Sequence, residues 1–182
     1  EIAVVDADSN RLPDRAVGEV ILRSNSMLTE YYKRPEVTAE AIRDGWYYTG
    51  DMGYIAGGEL YITGRKKDLI IVGGKNVYPQ DLEAIANHVE GIYPGRAVAF
   101  GVFDERIGSE SIVMVAELLP ERNGATPPEI ERDLRSQIVA QTEVTLADVR
   151  LVEDRWVIKT SSGKIGRADN RTKYLREFRG QG

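Results

Sequence analysis

The 182-residue chain is 42% hydrophobic and 29% charged, values ordinary for a globular protein with one core, or with a small domain and part of another. Its 24 basic and 29 acidic side chains give a net charge of −5, which excludes a general electrostatic attraction to nucleic acid or to an anionic membrane. The absence of cysteine excludes disulfides, thiolate metal sites and a cysteine nucleophile, and it agrees with the reducing cytoplasm, where we expect the protein.

The first third of the sequence predicts mainly strands and turns. Residues 1–5 are typical of the middle of a strand and lack an initiator Met, so we expect the chain to be part of a longer protein. Further strands are predicted at 19–23, 54–56 and 59–62, and a short helix that begins at a proline is predicted at 35–42. Gly57-Gly58 separates the last two strands and predicts a tight hairpin turn.

Beyond the charged stretch 64–68, the sequence predicts a unit of the α+β class with a mixed sheet. Strands are predicted at 69–72, 97–102, 112–116 and 149–152. Helices are predicted from about Pro79, with the apolar face Leu82, Ile85, Ala86 and Val89, from about Pro127, with the stripe Ile130, Leu134 and Ile138, and at 167–178. No apolar run is long enough for a transmembrane segment, and no signal peptide is recognised.

Two charged groups in the first third are candidates for ligand binding. Asp51, which follows Thr49-Gly50 at a predicted strand end, could accept two hydrogen bonds from a vicinal diol such as a ribose, or could satisfy backbone N–H groups of a turn. Arg65 could assist such a site or form an exposed ion pair of little energetic value. Lys66 and Lys67 are by default a solvated pair of charges.

Gly73 and Gly74 follow a predicted strand, and they could let a ligand pass close to the backbone or could simply end the strand. His88, the only histidine, is predicted to lie on a helix beside Val89 and to be structural.

The stretch IKTSSGKIGR, residues 158–167, holds Lys164 on a loop rich in hydroxyl groups and glycine. It is not a P-loop, because Ile158 replaces the first glycine of that motif and Ile165 replaces its hydroxyl residue. What remains is a mobile ammonium group on a pliable loop that could approach a phosphate, or a solvated surface turn.

Three stretches in a fixed order are more specific than any of these residues alone. They are YYTGDMG at 47–53, GELYITGRKKDLIIVGGKNVYPQDLE at 58–83 and TSSGKIGR at 160–167, with a further matching segment from Gly18 to Pro35. Together they resemble the late motifs of the acyl-adenylate-forming superfamily, over essentially the whole chain. This superfamily includes acyl-CoA synthetases, fatty acyl-AMP ligases and the adenylation domains of peptide synthetases.

The resemblance implies that residues 1–66 are the β-rich end of a large N-terminal domain, and that residues 67–182 are a small C-terminal lid. It implies an AMP-forming ligase that activates a carboxylate, in particular a fatty acid, with ATP and passes the acyl group to the pantetheine thiol of coenzyme A. Two alternatives remain open: a fatty acyl-AMP ligase that delivers to the phosphopantetheine of an acyl carrier protein, and a non-catalytic module that docks a carrier protein.

The family's phosphate loop and acyl pocket lie upstream of the segment that this chain resembles. We therefore expect the chain to be inactive alone. Mg²⁺ is expected to be held mainly by the missing part, and no metal ligands are predicted in this chain.

Site residues carry over motif by motif. Lys164 matches the catalytic lysine of acyl-AMP formation, and Asp51 and Arg65 match nucleotide-binding positions at the ribose. Lys67 falls at the hinge about which the lid rotates, and Gly73-Gly74 would line the pantetheine passage after that rotation.

The chain departs from the family pattern at two positions. Ile158 stands where the family often has proline, and Asn76 stands where several members have arginine. The segment 77–83 resembles the form found in fatty-acid-activating members, and especially in the fatty acyl-AMP ligases.

Overall fold

A computed structural model describes residues 1–121 and 124–180. The chain divides after Lys67 into a first unit, Glu1–Lys67, and a second unit, Asp68–Gly182. That the first unit ends a larger domain and that the second acts as a lid remain predictions.

The first unit is built on an antiparallel sheet. Its elements are β1 Ile2–Val5, β2 Gly18–Leu22, α1 Pro35–Ala41, β3 Ile42–Arg43, β4 Trp46–Ala56 and β5 Glu59–Arg65. The strands follow the order β1-β2-β4-β3, and β5 pairs with β4 as well. Ala3, Val5 and Ile21 form its buried apolar cluster, against which Trp46 and Tyr48 pack.

Strand β4 is much longer than the sequence pattern predicts. The motif at 47–53 therefore lies inside β4, and the prediction that Asp51 follows a strand end is wrong. Glycines at 50 and 53 break the alternation of apolar and polar residues. The pairing of β4 is irregular in two places: with β2 between Glu19 and Ile21, and with β5 between Met52 and Gly53. The predicted turn at Gly57-Gly58 is confirmed: both residues have positive φ, +61° and +85°, as a two-residue hairpin turn with primed geometry requires.

The second unit combines a hairpin, a three-stranded sheet and three helices over its described residues. In chain order these are β6 Ile70–Val72, β7 Lys75–Val77, α2 Pro79–Ala86, β8 Ile92–Asp104, β9 Ser109–Leu118, α3 Pro127–Thr142, β10 Asp148–Val152 and α4 Arg167–Phe178. The sheet has the order β10-β9-β8, with β8 antiparallel and β10 parallel to β9. The predicted α+β class with a mixed sheet is confirmed.

The central sheet of the second unit buries both faces. Alternate residues of β8 and β9, such as Ala99 and Met114, pack with the apolar sides of α2 and α3 in one cluster. The intervening residues, such as Val98 and Val113, join Tyr174 of α4 in a second cluster. This period of two is what a strand covered on both sides produces.

The helical stripes predicted from spacing are buried as expected. Leu82, Ile85 and Ala86 of α2 and Ile130, Leu134 and Ile138 of α3 all belong to the first cluster. Helix α2 ends at Ala86, so Val89 is buried beyond the helix, and the placement of His88 on the helix is wrong. No described helix is long and apolar enough to cross a membrane.

The core position Leu134 gives a direct test of this packing. Leu134→Ala should lower the free energy of unfolding of the second unit by about 2–5 kcal/mol, because it leaves a cavity between α3 and the sheet. Val139→Ala on the same helix is the control: Val139 is 46% exposed, and its truncation should change stability by about 0.5 kcal/mol or less. Urea unfolding monitored by amide hydrogen exchange in β8 and β9 measures both. Equal losses in the two variants would contradict the assigned core.

Candidate functional site

Asp51 is presented by a bulge in strand β4. On β2, Glu19 pairs with Met52 and Ile21 with Tyr48, so Val20 alone opposes residues 49–51 of β4. Gly50 makes this possible with φ +70°, in the left-handed region that favours glycine.

The bulge is held by the hydroxyl of Thr49. This group donates to the Val20 carbonyl at 2.7 Å and accepts from the Asp51 N–H at 3.0 Å. The hydroxyl of Thr49, and not the carboxylate of Asp51, therefore bonds to the backbone polar groups of the bulge. The carboxylate of Asp51 is not needed for this purpose.

Asp51 faces Arg65 across the β4–β5 ladder, where the two residues are register partners. Arg65 Nε lies 2.8 Å from Asp51 Oδ1, with the side chains 56% and 30% exposed. A pair this accessible contributes about 0–1 kcal/mol to stability, so stability alone gives little reason for it. Both side chains of the pair stay partly exposed, so a ligand can reach them.

Two tyrosines extend this group, and the sequence reasoning did not single them out. The hydroxyls of Tyr31 and Tyr47 lie 3.2 Å apart. The pKa of Tyr47 is raised, chiefly by this hydrogen bond and then by burial, and the charges of Arg65 and Asp51 act on it in opposite directions. Tyr47 is thus a neutral hydrogen-bonding group beside the Asp51–Arg65 pair. Its place within the motif at 47–53 is the feature of the sequence that could have indicated Tyr47 as a site residue.

The two lysines at the unit boundary differ, contrary to the expectation of a solvated pair. Both belong to the single 3-10 turn Lys66–Asp68. Lys66 Nζ lies 2.6 Å from Glu19 Oε2, whereas Lys67 is exposed and has no ion pair in the described part of the chain. Lys67 therefore stands between two anchored neighbours, because Asp68 on its other side is also paired.

Asp68 belongs to an ion-pair network in the second unit centred on Arg167, the first residue of α4. Arg167 Nη1 lies 2.9 Å from Asp68, and Nη2 lies 2.6 Å from Glu83 of α2. Glu83 also accepts the Ala99 N–H of β8 at 3.0 Å. Burial alone lowers the pKa of Arg167, but its bonds and charge interactions with Glu83 and Asp68 outweigh burial, so this pKa is raised and the guanidinium stays charged.

Lys164 lies in a hydrogen-bonded hairpin rather than on a pliable loop. Thr160 N–H donates to the Lys164 carbonyl at 2.7 Å, and Gly163 N–H donates to the Thr160 carbonyl at 2.8 Å. Lys159 and Ile165 pair below this turn as an isolated bridge. The Lys164 side chain is exposed, and among residues 1–121 and 124–180 no acidic group lies within ion-pair distance of it. The ammonium group is thus free to meet an anion.

Gly73 and Gly74 form the two-residue turn between β6 and β7. Their φ values of +55° and +81° are those of a primed turn, which explains both glycines structurally. A Cβ added at either position would meet nothing within 4 Å, so the space above the turn is open. The turn is fastened to β9, because Gly73 N–H donates to Ser109 Oγ at 2.9 Å.

The structure thus brings Asp51 and Arg65 together in the first unit. In the second unit it places Lys164 and the Gly73-Gly74 turn on separate loops. Within the described ranges no group of three or more His, Asp or Glu side chains could hold a metal ion.

No protein-family model matches the chain. Among curated proteins, the long-chain-fatty-acid–AMP ligase FadD32 of Mycolicibacterium smegmatis is 36% identical, over 94% of this chain and 33% of that protein. The acyl-CoA ligase clz12 of Cochliobolus lunatus is 33% identical, over 92% of this chain and 46% of that protein. Among solved structures, that of McyG A-PCP complexed with phenylalanyl-adenylate has a TM-score of 0.83 at 31% identity, covering 97% of this chain and 32% of that one.

The chain therefore spans 32–46% of the length of these three proteins. Over that span the similarity extends to both units and contains all the motifs described above. These similarities identify the chain as a relative of the acyl-adenylate-forming enzymes and as a counterpart of their C-terminal portion.

Proposed function

We propose that this chain supplies the C-terminal portion of an AMP-forming ligase that joins a carboxylate, in particular a fatty acid, to a thiol. The observation that carries the proposal is the exposed ammonium of Lys164, which has no ion-pair partner in the described part of the chain and lies on a hairpin fixed by hydrogen bonds. The names of the relatives support the substrate class, because they include a long-chain-fatty-acid–AMP ligase and an acyl-CoA ligase. The chain alone is expected to be inactive.

In the first half-reaction, a carboxylate oxygen attacks the α-phosphorus of ATP, and the bond to the bridging oxygen of pyrophosphate breaks. Negative charge is spread over the phosphoryl oxygens during this step, and a positioned cation stabilises it. Lys164 is proposed to supply that cation. The chain's residues fit the rest of the nucleotide as well, since the partly exposed carboxylate of Asp51 can accept hydrogen bonds from the ribose hydroxyls, with the partly exposed Arg65 beside it.

In the second half-reaction, a thiol sulfur attacks the carbonyl carbon of the acyl-AMP, and AMP leaves. We propose that rotation about Lys67 withdraws Lys164 between the two steps and brings in the Gly73-Gly74 turn, beside which the pantetheine arm passes. The exposed position of Lys67 between two anchored residues supports the assignment of the hinge. Mg²⁺ and most of the ATP phosphates are assigned to the part of the ligase that this chain does not contain.

The thiol acceptor is proposed to be the pantetheine of coenzyme A or of a carrier protein. The acyl-CoA ligase supports the first, and the A-PCP structure supports the second. Rates of thioester formation from supplied acyl-AMP, measured with each acceptor in the complete ligase, distinguish the two.

Lys164→Ala in the complete ligase should lower acyl-AMP formation by about 10²–10³-fold, because the cation at the phosphoryl group is lost. Pyrophosphate release measures this step. Thioester formation from supplied acyl-AMP should stay within about threefold. Lys159→Ala, which removes the same charge five residues earlier, is the control and should leave both steps nearly unchanged. A Lys164 variant that loses both half-reactions equally would refute the assigned role.

Asp51→Asn should weaken ATP binding about 10-fold or more, because a neutral amide replaces a charged acceptor of two hydroxyl groups. Titration of the complete ligase with ATP measures the change. Glu36→Gln is the control, since it removes another exposed carboxylate paired with arginine at 3.0 Å in the same unit. If both variants bind ATP like the parent, Asp51 serves the ion pair with Arg65 alone.

Gly74→Leu should slow thioester formation from supplied acyl-AMP at least 10-fold and leave pyrophosphate release nearly unchanged, because the side chain would fill the proposed passage. Gly58→Leu is a matched control: Gly58 occupies the same position of a two-glycine turn, also with positive φ and with open space around it. Both variants carry the same backbone strain. Only a selective loss in the Gly74 variant supports the passage, and equal behaviour of the two counts against it.

A further inference from the structure

Asn170 is the buried side chain that closes the base of the Lys164 hairpin. It lies in the first turn of α4 and is 0% exposed. Its Oδ1 accepts the Ile158 N–H at 2.8 Å, and its Nδ2 donates to the carbonyls of Ile158 and Gly166, both at 2.8 Å. The orientation of the carboxamide is fixed by chemistry, because a flipped amide would face a donor with donors.

These bonds join the two ends of one loop. Ile158 lies just before the Lys159–Ile165 bridge and Gly166 just after it, and Gly166 N–H also donates to the Ile158 carbonyl at 3.1 Å. The carboxamide of Asn170 therefore ties both stems of the hairpin to α4. Because a buried amide without partners is costly, the stems cannot leave this arrangement without losing three hydrogen bonds at once.

The pairing depends on residue 158 having an N–H group. Ile158 stands where members of the superfamily that this chain resembles often have proline. A proline there could not donate to Asn170 Oδ1. Ile158 and Asn170 thus form a matched pair in this chain: the N–H and the carbonyl of Ile158 both bond to the carboxamide of Asn170.

We propose that Asn170 is a positioning residue for acyl-AMP formation, which holds the Lys164 hairpin in the orientation that delivers the ammonium group. The inference rests on the proposed role of Lys164. Asn170 is fully buried and its carboxamide bonds to the backbone of Ile158 and Gly166, so it acts through the hairpin that carries Lys164.

The first test uses the 182-residue chain. Asn170→Ala should increase amide hydrogen exchange at Ile158 and within residues 160–166 at least 10-fold, and leave strand β9 unchanged. Asn87→Ala is the control, because the Asn87 carboxamide accepts the N–H of Gly95 at 2.7 Å, in the irregular first part of β8 in the same unit. That variant should increase exchange at Gly95 and not in the hairpin. Unchanged exchange in the hairpin of Asn170→Ala would overturn the proposal.

The second test measures the two half-reactions in the complete ligase. Asn170→Ala should lower pyrophosphate release at least 10-fold, while thioester formation from supplied acyl-AMP stays within about twofold. In the Lys164→Ala background, Asn170→Ala should cause no further loss of adenylation, since a residue that acts through Lys164 has nothing left to position. Equal loss of both half-reactions, or an additive loss in the double variant, would reduce Asn170 to a structural role.

The outcomes separate this inference from the proposed function. If Lys164→Ala retains full adenylation, the proposed function fails, and the positioning role fails with it whatever the exchange data show. If Lys164→Ala abolishes adenylation and Asn170→Ala does not, the proposed function stands and the inference is overturned. If Asn170→Ala does not fold, Ile158→Pro is the second variant. It removes only the N–H that bonds Asn170 Oδ1, at a residue that is 37% exposed. Pyrophosphate release should then fall about threefold, while thioester formation from supplied acyl-AMP is unchanged.

Discussion

The interaction on which the second unit depends is the contact of Arg167 with Asp68 and Glu83. These three residues come from segments far apart in the sequence: the turn at the unit boundary, helix α2 and the start of α4. All three side chains are at most 20% exposed, so each charge has lost most of its hydration and is compensated by its partners. Removing one partner of such a group typically costs about 3–5 kcal/mol, because the remaining charge is left buried. The network therefore fixes where α4 begins, and with it the stems of the Lys164 hairpin.

A second constraint follows from the backbone that leads into this hairpin. Val157 and Ile158 belong to none of the named strands, yet Val157 is buried, so their peptide groups take partners from side chains in addition to the Gly166 N–H that bonds the Ile158 carbonyl. Glu117, fully buried in β9, accepts the Val157 N–H at 2.6 Å, and Asn170 serves both polar groups of Ile158. Buried polar side chains here replace a sheet ladder. This explains why a carboxylate and a carboxamide are fully buried in this part of the second unit.

The sequence predicted the features that depend on residues close together in the chain. It did not predict those that depend on residues far apart. The apolar stripes of α2 and α3 and the turn at Gly57-Gly58 depend on neighbours within a few residues, and the spacing alone located them. The bulge that presents Asp51 depends on strand β2: the Thr49 hydroxyl bonds Val20, which lies 29 residues earlier in the sequence. No local pattern indicates this contact, and the sequence pattern therefore predicted a strand end at this point. The partners of Arg167 lie 84 and 99 residues away, and no local pattern marks them. Through resemblance, the motifs singled out the candidate site residues, whose roles stay predictions, and they did not indicate the contacts that hold these residues in place.

The hairpin also changes where flexibility belongs in the proposed mechanism. The glycine and hydroxyl residues around Lys164 suggested a loop that bends to reach a phosphate. Instead, the hydroxyl of Thr160 accepts the Lys164 N–H at 3.2 Å, and Gly163 adopts the positive φ that the turn requires, so these residues build a rigid turn. These bonds hold the backbone of Lys164, so the proposed mechanism assigns a large displacement of this backbone to a movement of the unit that carries it. In the proposed mechanism, the movement between the two half-reactions is therefore assigned to the backbone near Lys67 rather than to the loop itself, and the Lys67 side chain is held by no ion pair within the described residues.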